Sequence, residues 1–155
     1  KRLINKHVYI DQAPLVSKSI QNGITLVAGR TALMYAAEFG LFAIARLLME
    51  FGADVNAIDE LGYTPLMRSA VSHSEESYSI TAHDMFISAG ATVNTINKTN
   101  GDTALTIALR YRNSEMVKAL ITAGATVSDE DRSLAVTWGQ DDVMQVVVGG
   151  AEIME

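Results

Sequence analysis

The clearest pattern of apolar and polar positions lies in residues 29–60. Apolar residues recur there every three or four positions over residues 32–37 and again over residues 42–48, which predicts two short amphipathic helices. Gly40 separates the two runs and Gly52 follows the second, as is typical of residues that end helices in a left-handed conformation. Neither helix is long enough to be stable alone in water, so each needs a neighbouring element to cover its apolar face.

Copies of this pattern follow along the chain. Thr31 precedes the first run, where its hydroxyl can cap a helix, and the same role suits Thr64, 33 residues on, and Thr103, 39 residues after that. A closing tag, Gly-Ala followed two places later by Val or Ile, begins at residues 52, 90, 124 and 150. The capping threonine and the closing tag recur together with a period near 33 residues, which indicates a repeat array. We expect the glycines at positions 52, 90 and 124 to be left-handed, which a Cβ would penalise.

At Leu61-Gly62-Tyr63-Thr64-Pro65-Leu66 and at the closing tags, the chain resembles the ankyrin repeat family from about Leu26 to its end. The resemblance implies an all-α fold with short β-hairpin loops, an α-solenoid of about five stacked helix-turn-helix repeats. It also implies a function, because family members mostly bind other proteins through the hairpin tips and the concave face that the first, inner helix of each repeat forms. Catalysis is not expected, since ankyrin arrays seldom catalyse a reaction by themselves.

We interpret the whole chain, residues 1–155, as a single domain. Residues 29–60, 61–95 and 96–128 are interpreted as regular repeats, and the second contains a polar, serine-rich insertion at residues 72–79. The insertion replaces the tight turn between two helices, where extra residues are best tolerated because they lie at the surface.

The two ends of the chain match the pattern less well. Residues 1–28 are interpreted as an N-terminal capping repeat, a helix pair broken before Pro14 whose second helix ends at Asn22-Gly23. Residues 129–155 are interpreted as a C-terminal capping repeat that begins with acidic residues at 129–131, which suit the positive end of a helix dipole. Terminal repeats are expected to be atypical because one of their faces meets water.

One turn in the repeat 96–128 also departs from the pattern. Arg112-Asn113 stands where the repeat 29–60 has Gly40-Leu41. Because asparagine tolerates the left-handed conformation, we expect Asn113 to preserve the turn.

Composition narrows the choice of partner. Nearly half of the 155 residues are hydrophobic, which excludes disorder and provides a core. The net charge of −6 argues against binding to nucleic acid or to an anionic membrane surface, since both require clustered Lys and Arg. A basic or amphipathic protein surface is a more suitable partner.

The chain has no cysteine, which excludes disulfides and thiolate metal sites. It leaves the cellular compartment open, with the cytoplasm favoured over secretion. We expect a monomer without a cofactor that binds another protein.

Five side chains at concave positions of the inner helices are candidate binding residues: Tyr35, Phe39, Arg68, Arg110 and Tyr111. Tyr and Arg are enriched at binding hot spots. Tyr35 and Phe39 have an alternative role, which is to cover the adjacent inner helix. The arginines are better candidates, because a hydrophobic core would not accommodate them.

Two other surfaces are candidates. The hairpin tips are expected to expose Glu60, Leu61 and Tyr63, together with Arg30, Thr99 and Asn100. The insertion at residues 72–79 is a further candidate, although neutral loop growth explains it slightly better because long loops cost little free energy.

Alternatives from other classes remain open at this point. His73, Glu75, Glu76, His83 and Asp84 crowd the stretch 72–84, yet their spacing matches no metal-ligand pattern, and a solvated loop accounts for them better than a hydrolase or metal site. Within the binding class, the acidic chain also fits an inhibitor or immunity-type protein that covers a basic effector. A purely structural spacer within a larger protein is the third possibility.

Overall fold

The computed structural model describes residues 20–21, 24–25, 29–72 and 80–149. These residues form four consecutive helix pairs and one short strand pair. The helices, in chain order, are α1 (Ala32–Glu38), α2 (Phe42–Glu50), α3 (Pro65–Val71), α4 (Ile80–Ser88), α5 (Ala104–Arg110), α6 (Ser114–Thr122), α7 (Asp129–Trp138) and α8 (Asp141–Val147). Stacked helix pairs confirm the predicted helical solenoid.

The inner helices begin where the capping threonines predict. The Thr31 hydroxyl accepts from the Met34 amide at 3.3 Å, and the Thr64 hydroxyl accepts from the Met67 amide at the same distance. Thr103 caps α5 through the Thr106 amide, 3.2 Å away. Each cap pairs a donor that the first helical turn leaves unsatisfied, so a threonine followed by apolar residues is a reliable start signal here.

The closing tags end the outer helices as predicted. Gly52, Gly90 and Gly124 have φ values of 90°, 92° and 87°, in the left-handed region. The alanine after each glycine donates its amide to a carbonyl five residues earlier, as Ala53 does to Leu48 at 2.9 Å. This closure turns the chain sharply away from the helix axis and toward the next repeat.

The turn between α5 and α6 corrects one prediction. Arg112 takes the left-handed conformation, with φ of 57°, and Asn113 does not. Asn113 instead caps α6, where its side-chain oxygen accepts from the Met116 amide at 3.1 Å. Arg112 lies nine residues after Thr103, as Gly40 lies nine after Thr31, so the position in the repeat imposes the conformation and Asn113 is one residue too late to take it.

Two asparagines join successive repeats. The side chain of Asn56 donates to the Gly90 carbonyl at 3.0 Å and accepts from the Thr92 amide at 2.8 Å. Asn94 makes the same pair of bonds to Gly124 and Thr126, at 3.1 and 2.8 Å. The asparagine that directly follows each of these two closing tags thus bonds to the backbone of the next closing tag, which fixes the spacing between neighbouring repeats.

The hydrophobic core runs between the stacked helix pairs. The inner helices pack in the order α1, α3, α5 and α7, and the outer helices α4, α6 and α8 pack in a second row. Their facing side chains, including Leu33, Leu66 and Leu105, are closed to solvent. The first outer helix, α2, differs, because Ile44 remains about half exposed whereas Met116, its equivalent in α6, is fully buried.

The start of the chain corrects a second prediction. Ile20–Gln21 (β1) pairs antiparallel with Ile24–Thr25 (β2), so the chain is extended on both sides of the Asn22-Gly23 pair that was expected to end a helix. Asn-Gly between β-branched residues is also the strongest short hairpin signal, and that reading applies here. The rest of the predicted N-terminal capping repeat, residues 1–19, 22–23 and 26–28, lies outside the described residues.

The serine-rich insertion lies between two helices. The structure describes α3 to Val71 and α4 from Ile80, whereas only three residues separate α1 from α2. Most of the predicted insertion, residues 73–79, lies outside the described residues. At the other end, Ser128 caps α7 and Gly139 ends it in a left-handed conformation, so the acidic residues 129–131 do open a helix as predicted.

Candidate binding surface

A depression of about 300 Å³ lies on the concave side of the array, between the inner helices and the tips that precede them. It brings together residues from α1, α3, α5 and two tips: Glu38, Tyr63, Arg68, Val71, Asn100, Asp102, Ile107, Arg110 and Tyr111. Four of the predicted binding residues, namely Tyr63, Arg68, Arg110 and Tyr111, therefore line one surface. They come from separate repeats and meet only because the repeats stack.

A buried network of Arg30, Glu38, Asp59 and Arg68 forms one side of this region. Glu38 Oε2 lies 2.9 Å from Arg30 Nη2 and 3.3 Å from Arg68 Nη1. Asp59 Oδ2 accepts a short hydrogen bond from Arg68 Nη2 and lies 4.0 Å from Arg30 Nε. Two carboxylates and two guanidinium groups thus balance each other in a region closed to solvent, where an unpaired charge would be costly.

Asp59 is placed by the tip that contains it. Its Oδ1 accepts from the amides of Leu61 and Tyr63, at 3.0 and 2.9 Å, which closes the tip turn. Its Oδ2 is then left facing Arg68, and the Asp59 side chain is fully closed to solvent. A single carboxylate therefore shapes the tip and anchors an arginine from the following helix.

The burial of two arginines contradicts the sequence-based expectation. Arg68 was predicted to be exposed on the ground that a core would not accommodate it, yet it is only 7% exposed, with its guanidinium 4.0 Å from the centre of the Tyr63 ring. Arg30, predicted at an exposed tip, is 6% exposed and lies over Tyr35 at 4.9 Å. Carboxylate and aromatic partners make this burial possible, because they replace the water that a guanidinium loses.

An exposed network of Asp102, Arg110 and Glu130 forms the other side. Arg110 donates to Asp102 Oδ2 and to Glu130 Oε1, each at 2.6 Å, and 41% of its side chain remains exposed. The Glu130 hydrogen bond, with a further contribution from Asp102, raises the pKa of the Arg110 guanidinium. Arg110 therefore presents a charged, oriented group to solvent, as predicted for a binding residue.

The tips on this surface are coupled to each other. The Asn97 side chain donates to the Leu61 carbonyl at 3.1 Å and accepts from the Thr99 amide at 2.8 Å. Gly62 is needed for this contact, because a Cβ there would come within 2.3 Å of Asn97 Oδ1. The two tips that border the depression are thereby held in one arrangement.

The remaining predicted residues have varied positions. Phe39 ends α1 with 57% of its surface exposed, and Tyr35 is partly buried, but neither lines the depression. Glu60 and Leu61 are exposed at their tip, and Tyr63 is partly buried under Arg68. These placements leave Phe39, Arg110 and Tyr111 as the most accessible of the concave candidates.

The sequence-based site omitted its acidic residues. Asp59, Asp102 and Glu130 form ion pairs with the arginines of this surface, and Glu38 forms the remaining ones. A signal for Asp102 was present, since it directly precedes a capping threonine and must lie at a tip. Asp59 and Glu130 have no comparable signal, because their roles depend on contacts with helices of other repeats.

The other candidate chemistry is not found in the described part of the chain. No group of three or more His, Asp or Glu side chains there is placed to hold a metal ion. His73, Glu75 and Glu76 lie outside the described residues, so the suggested site at residues 72–84 is only partly covered. None of the described helices is long and apolar enough to cross a membrane.

Two family models match the chain. One, described as ankyrin repeats in three copies, matches residues 2–81. The other, described as an ankyrin repeat, matches residues 100–132. Together they cover most of the stack, including both sides of the depression.

Three curated proteins are also similar to this chain. Neurogenic locus notch homolog protein 1 of Xenopus tropicalis and that of Xenopus laevis are each 33% identical over 112 residues, which cover 71% of this chain. The Neurogenic locus Notch protein of Drosophila melanogaster is 30% identical over 120 residues, or 74% of this chain. The chain spans only about 4% of the length of each relative.

Proposed function

Because the chain belongs to the ankyrin repeat family, whose repeats generally serve protein–protein interaction, we propose that it binds a partner protein through its concave face and tips. The observation that carries this proposal is the depression of about 300 Å³, where accessible side chains from three repeats surround a space large enough for a partner side chain. Arg110 and Tyr111 are the central contacts, and Phe39, Glu60 and Leu61 extend the surface.

The proposed contacts combine charge with apolar area. Arg110 is held by Asp102 and Glu130, so its orientation is set before a partner arrives. Tyr111 is about half exposed and offers aromatic area beside it, and Phe39, also about half exposed, offers further aromatic area outside the depression. Aromatic and arginine side chains of this kind supply most of the binding energy at interfaces.

Preorganisation supports the same proposal. The bridges from Asn56 and Asn94 to the next closing tags, and that from Asn97 to the preceding tip, fix the repeats relative to one another. A surface that is already ordered loses little conformational entropy on association, so more of the contact energy contributes to affinity.

A capture experiment with two matched double variants tests this function. We would compare wild-type protein with Arg110→Ala/Tyr111→Ala on the concave side and Arg46→Ala/Leu47→Ala on the outer helix α2. Each variant removes one arginine and one adjacent, half-exposed large side chain. Arg68 is left intact, because truncating a buried charge would test folding rather than binding.

Proteins captured from an extract of the source cells would be identified by mass spectrometry. We expect a protein that the wild type and the outer-helix variant retain and that the concave variant loses. A specific partner that both variants retain equally would contradict a concave binding face.

A further inference from the structure

We propose that the concave depression receives a basic side chain, arginine or lysine, from the partner. This inference rests on the proposed function and adds the chemical class of the bound group. It is carried by the charges of the two networks beside the depression, by two carboxylate oxygens that accept no hydrogen bond from the described residues, and by the apolar walls between them.

The charges of the surface are unequal. The buried and exposed networks together contain four carboxylates against three guanidinium groups, which leaves one net negative charge. Every guanidinium is already paired with at least one carboxylate. An incoming cation would therefore complete the balance, whereas an incoming carboxylate would add a second excess negative charge.

Two carboxylate oxygens are available to a donor. Glu38 and Asp102 both line the depression, and each uses only its Oε2 or Oδ2 to hold arginines or Asn100. No hydrogen bond among the described residues reaches Glu38 Oε1 or Asp102 Oδ1. A guanidinium or ammonium group has several N–H donors and no acceptor, so it matches a site that offers only acceptors.

An anion would be less well matched to these charges. The Nε atoms of Arg30 and Arg68 lack a hydrogen-bond partner, but both are closed to solvent. Arg110 is accessible, yet its guanidinium already pairs with two carboxylates, Asp102 and Glu130, so an anion there would add a third negative charge beside one positive charge. The charges around Arg110 thus favour a cation over an anion.

The walls suit the rest of a long basic side chain. Val71, Ile107 and the rings of Tyr63 and Tyr111 line the space between the two carboxylates. Methylene groups of Lys and Arg pack on such apolar and aromatic surface while the charged end reaches a polar partner. The depression is accordingly matched to a side chain that is apolar along its stem and cationic at its tip.

The test begins with a probe rather than with the unknown partner. A phage library of random twelve-residue peptides would be selected on the wild-type protein, and binders would be sorted by their sensitivity to Tyr111→Ala. The strongest sensitive peptide would then be synthesised with each basic residue replaced in turn by citrulline, the neutral isostere of arginine, or by norleucine in place of lysine. Affinity would be measured by calorimetry.

We expect basic residues to be enriched in the sensitive peptides and one neutral replacement to weaken binding about tenfold or more, since charge-assisted hydrogen bonds are roughly twice as strong as neutral ones. On the protein, Glu38→Gln should weaken the parent peptide and not its neutral analogue. Glu50→Gln makes the same chemical change at an exposed residue of the outer helix α2 that does not line the depression, and it should leave the affinity unchanged.

The possible failures are distinguishable. Peptides that bind but are all insensitive to Tyr111→Ala would contradict the concave binding face itself. Sensitive peptides without basic residues, or with full affinity after every neutral replacement, would overturn the basic side chain and leave the binding face standing. The peptide replacements do not alter the protein, so the result holds even where Glu38→Gln impairs folding.

Discussion

Arg68 and Arg110 carry the same charged group on neighbouring inner helices, and the fold uses them differently. Arg68 pairs with Asp59 and Glu38 in a region closed to solvent and lies flat on Tyr63. Arg110 pairs with Asp102 and Glu130, and much of its side chain remains exposed. The first arginine holds two repeats together, and the second keeps its charge at the surface, where we propose that it contacts a partner.

The location of the carboxylate explains the difference. Asp59 is fixed inside its tip by two backbone amides, so the arginine that reaches it must become buried. Arg110 also reaches a buried carboxylate, Asp102, but its second partner, Glu130, lies on the exposed surface of α7, so Arg110 stays near solvent. The residue type alone therefore does not decide whether an arginine is buried, whereas the exposure of its second carboxylate partner, Glu38 or Glu130, accounts for the difference.

The largest effect is expected from Asp59→Ala. This change removes the acceptor for Arg68 and for two tip amides, and breaking a buried ion pair from one side costs about 3–5 kcal/mol. Unfolding in urea would measure the loss. Glu60→Ala, one residue along at the exposed tip, is the control and should change stability by less than about 0.5 kcal/mol. Similar losses in the two variants would show that Asp59 has no special role.

Arg68→Ala and Arg110→Ala test the comparison directly. We expect Arg68→Ala to lose about 3 kcal/mol, at the lower end of the range for a broken buried pair because Arg30 still lies near Asp59. Arg110→Ala should lose less, about 1.5 kcal/mol, because Glu130 is exposed but the buried Asp102 loses a charged hydrogen-bond partner. Unfolding at low and at high salt separates the two further, since salt screens the exposed network and not the buried one. Equal losses of stability with equal salt dependence would show that the buried and the exposed arginine stabilise the fold in the same way.

The limits of sequence-based prediction follow the same division. The caps at Thr31, Thr64 and Thr103 and the left-handed glycines are local features, and the periodicity of the repeats was sufficient to predict them. The position of Tyr111 and Arg110 on the concave face also follows from helix geometry within one repeat. Fold and surface could therefore be predicted.

The role of each charged residue could not be predicted. Asp59 and Arg68 contact each other across the boundary between a tip and the following helix, and Arg110 reaches Glu130 twenty residues away. Such contacts depend on how two elements pack, which no periodicity within one repeat specifies. The same limit applies at Asn22-Gly23, where one dipeptide fits both a helix end and a hairpin.

Arg112 extends the comparison to an arginine whose backbone matters more than its charge. It is left-handed, with φ of 57°, where other repeats use glycine. Arg112→Gly removes about 1–2 kcal/mol of strain and costs about 0.4–1 kcal/mol because the unfolded chain gains entropy, for a net gain of up to about 1.6 kcal/mol. Asn113→Gly, the adjacent residue with negative φ, should instead lose a few tenths of a kcal/mol of capping. A loss of stability in Arg112→Gly would indicate that its side chain contributes more than its backbone costs.

The smallest effect is expected at an exposed ion pair that lies outside both networks. Lys118 Nζ lies 2.7 Å from Asp142 Oδ2 and links α6 to α8. The hydrogen bond from Lys118 lowers the pKa of Asp142 below its ordinary value of 3.8. A carboxyl whose pKa is lower in the folded state contributes stability above its unfolded pKa and loses that contribution as the pH falls through its folded pKa.

Wild type should therefore melt slightly higher than Asp142→Asn at pH 7, and the difference should disappear as the pH falls below about 4 and through the lowered value. Asp141→Asn is the matched control, because Asp141 also lies in the first turn of α8 but makes none of the Lys118 ion pairs among the described residues. A drop in melting temperature shared by both variants would arise from the helix dipole. Only the additional drop in Asp142→Asn would arise from the ion pair with Lys118. An excess that persists at low pH would mean that Asp142 stabilises the α6–α8 contact by packing rather than by charge. Solvent exposure would then not predict how much each ion pair of this array contributes to stability.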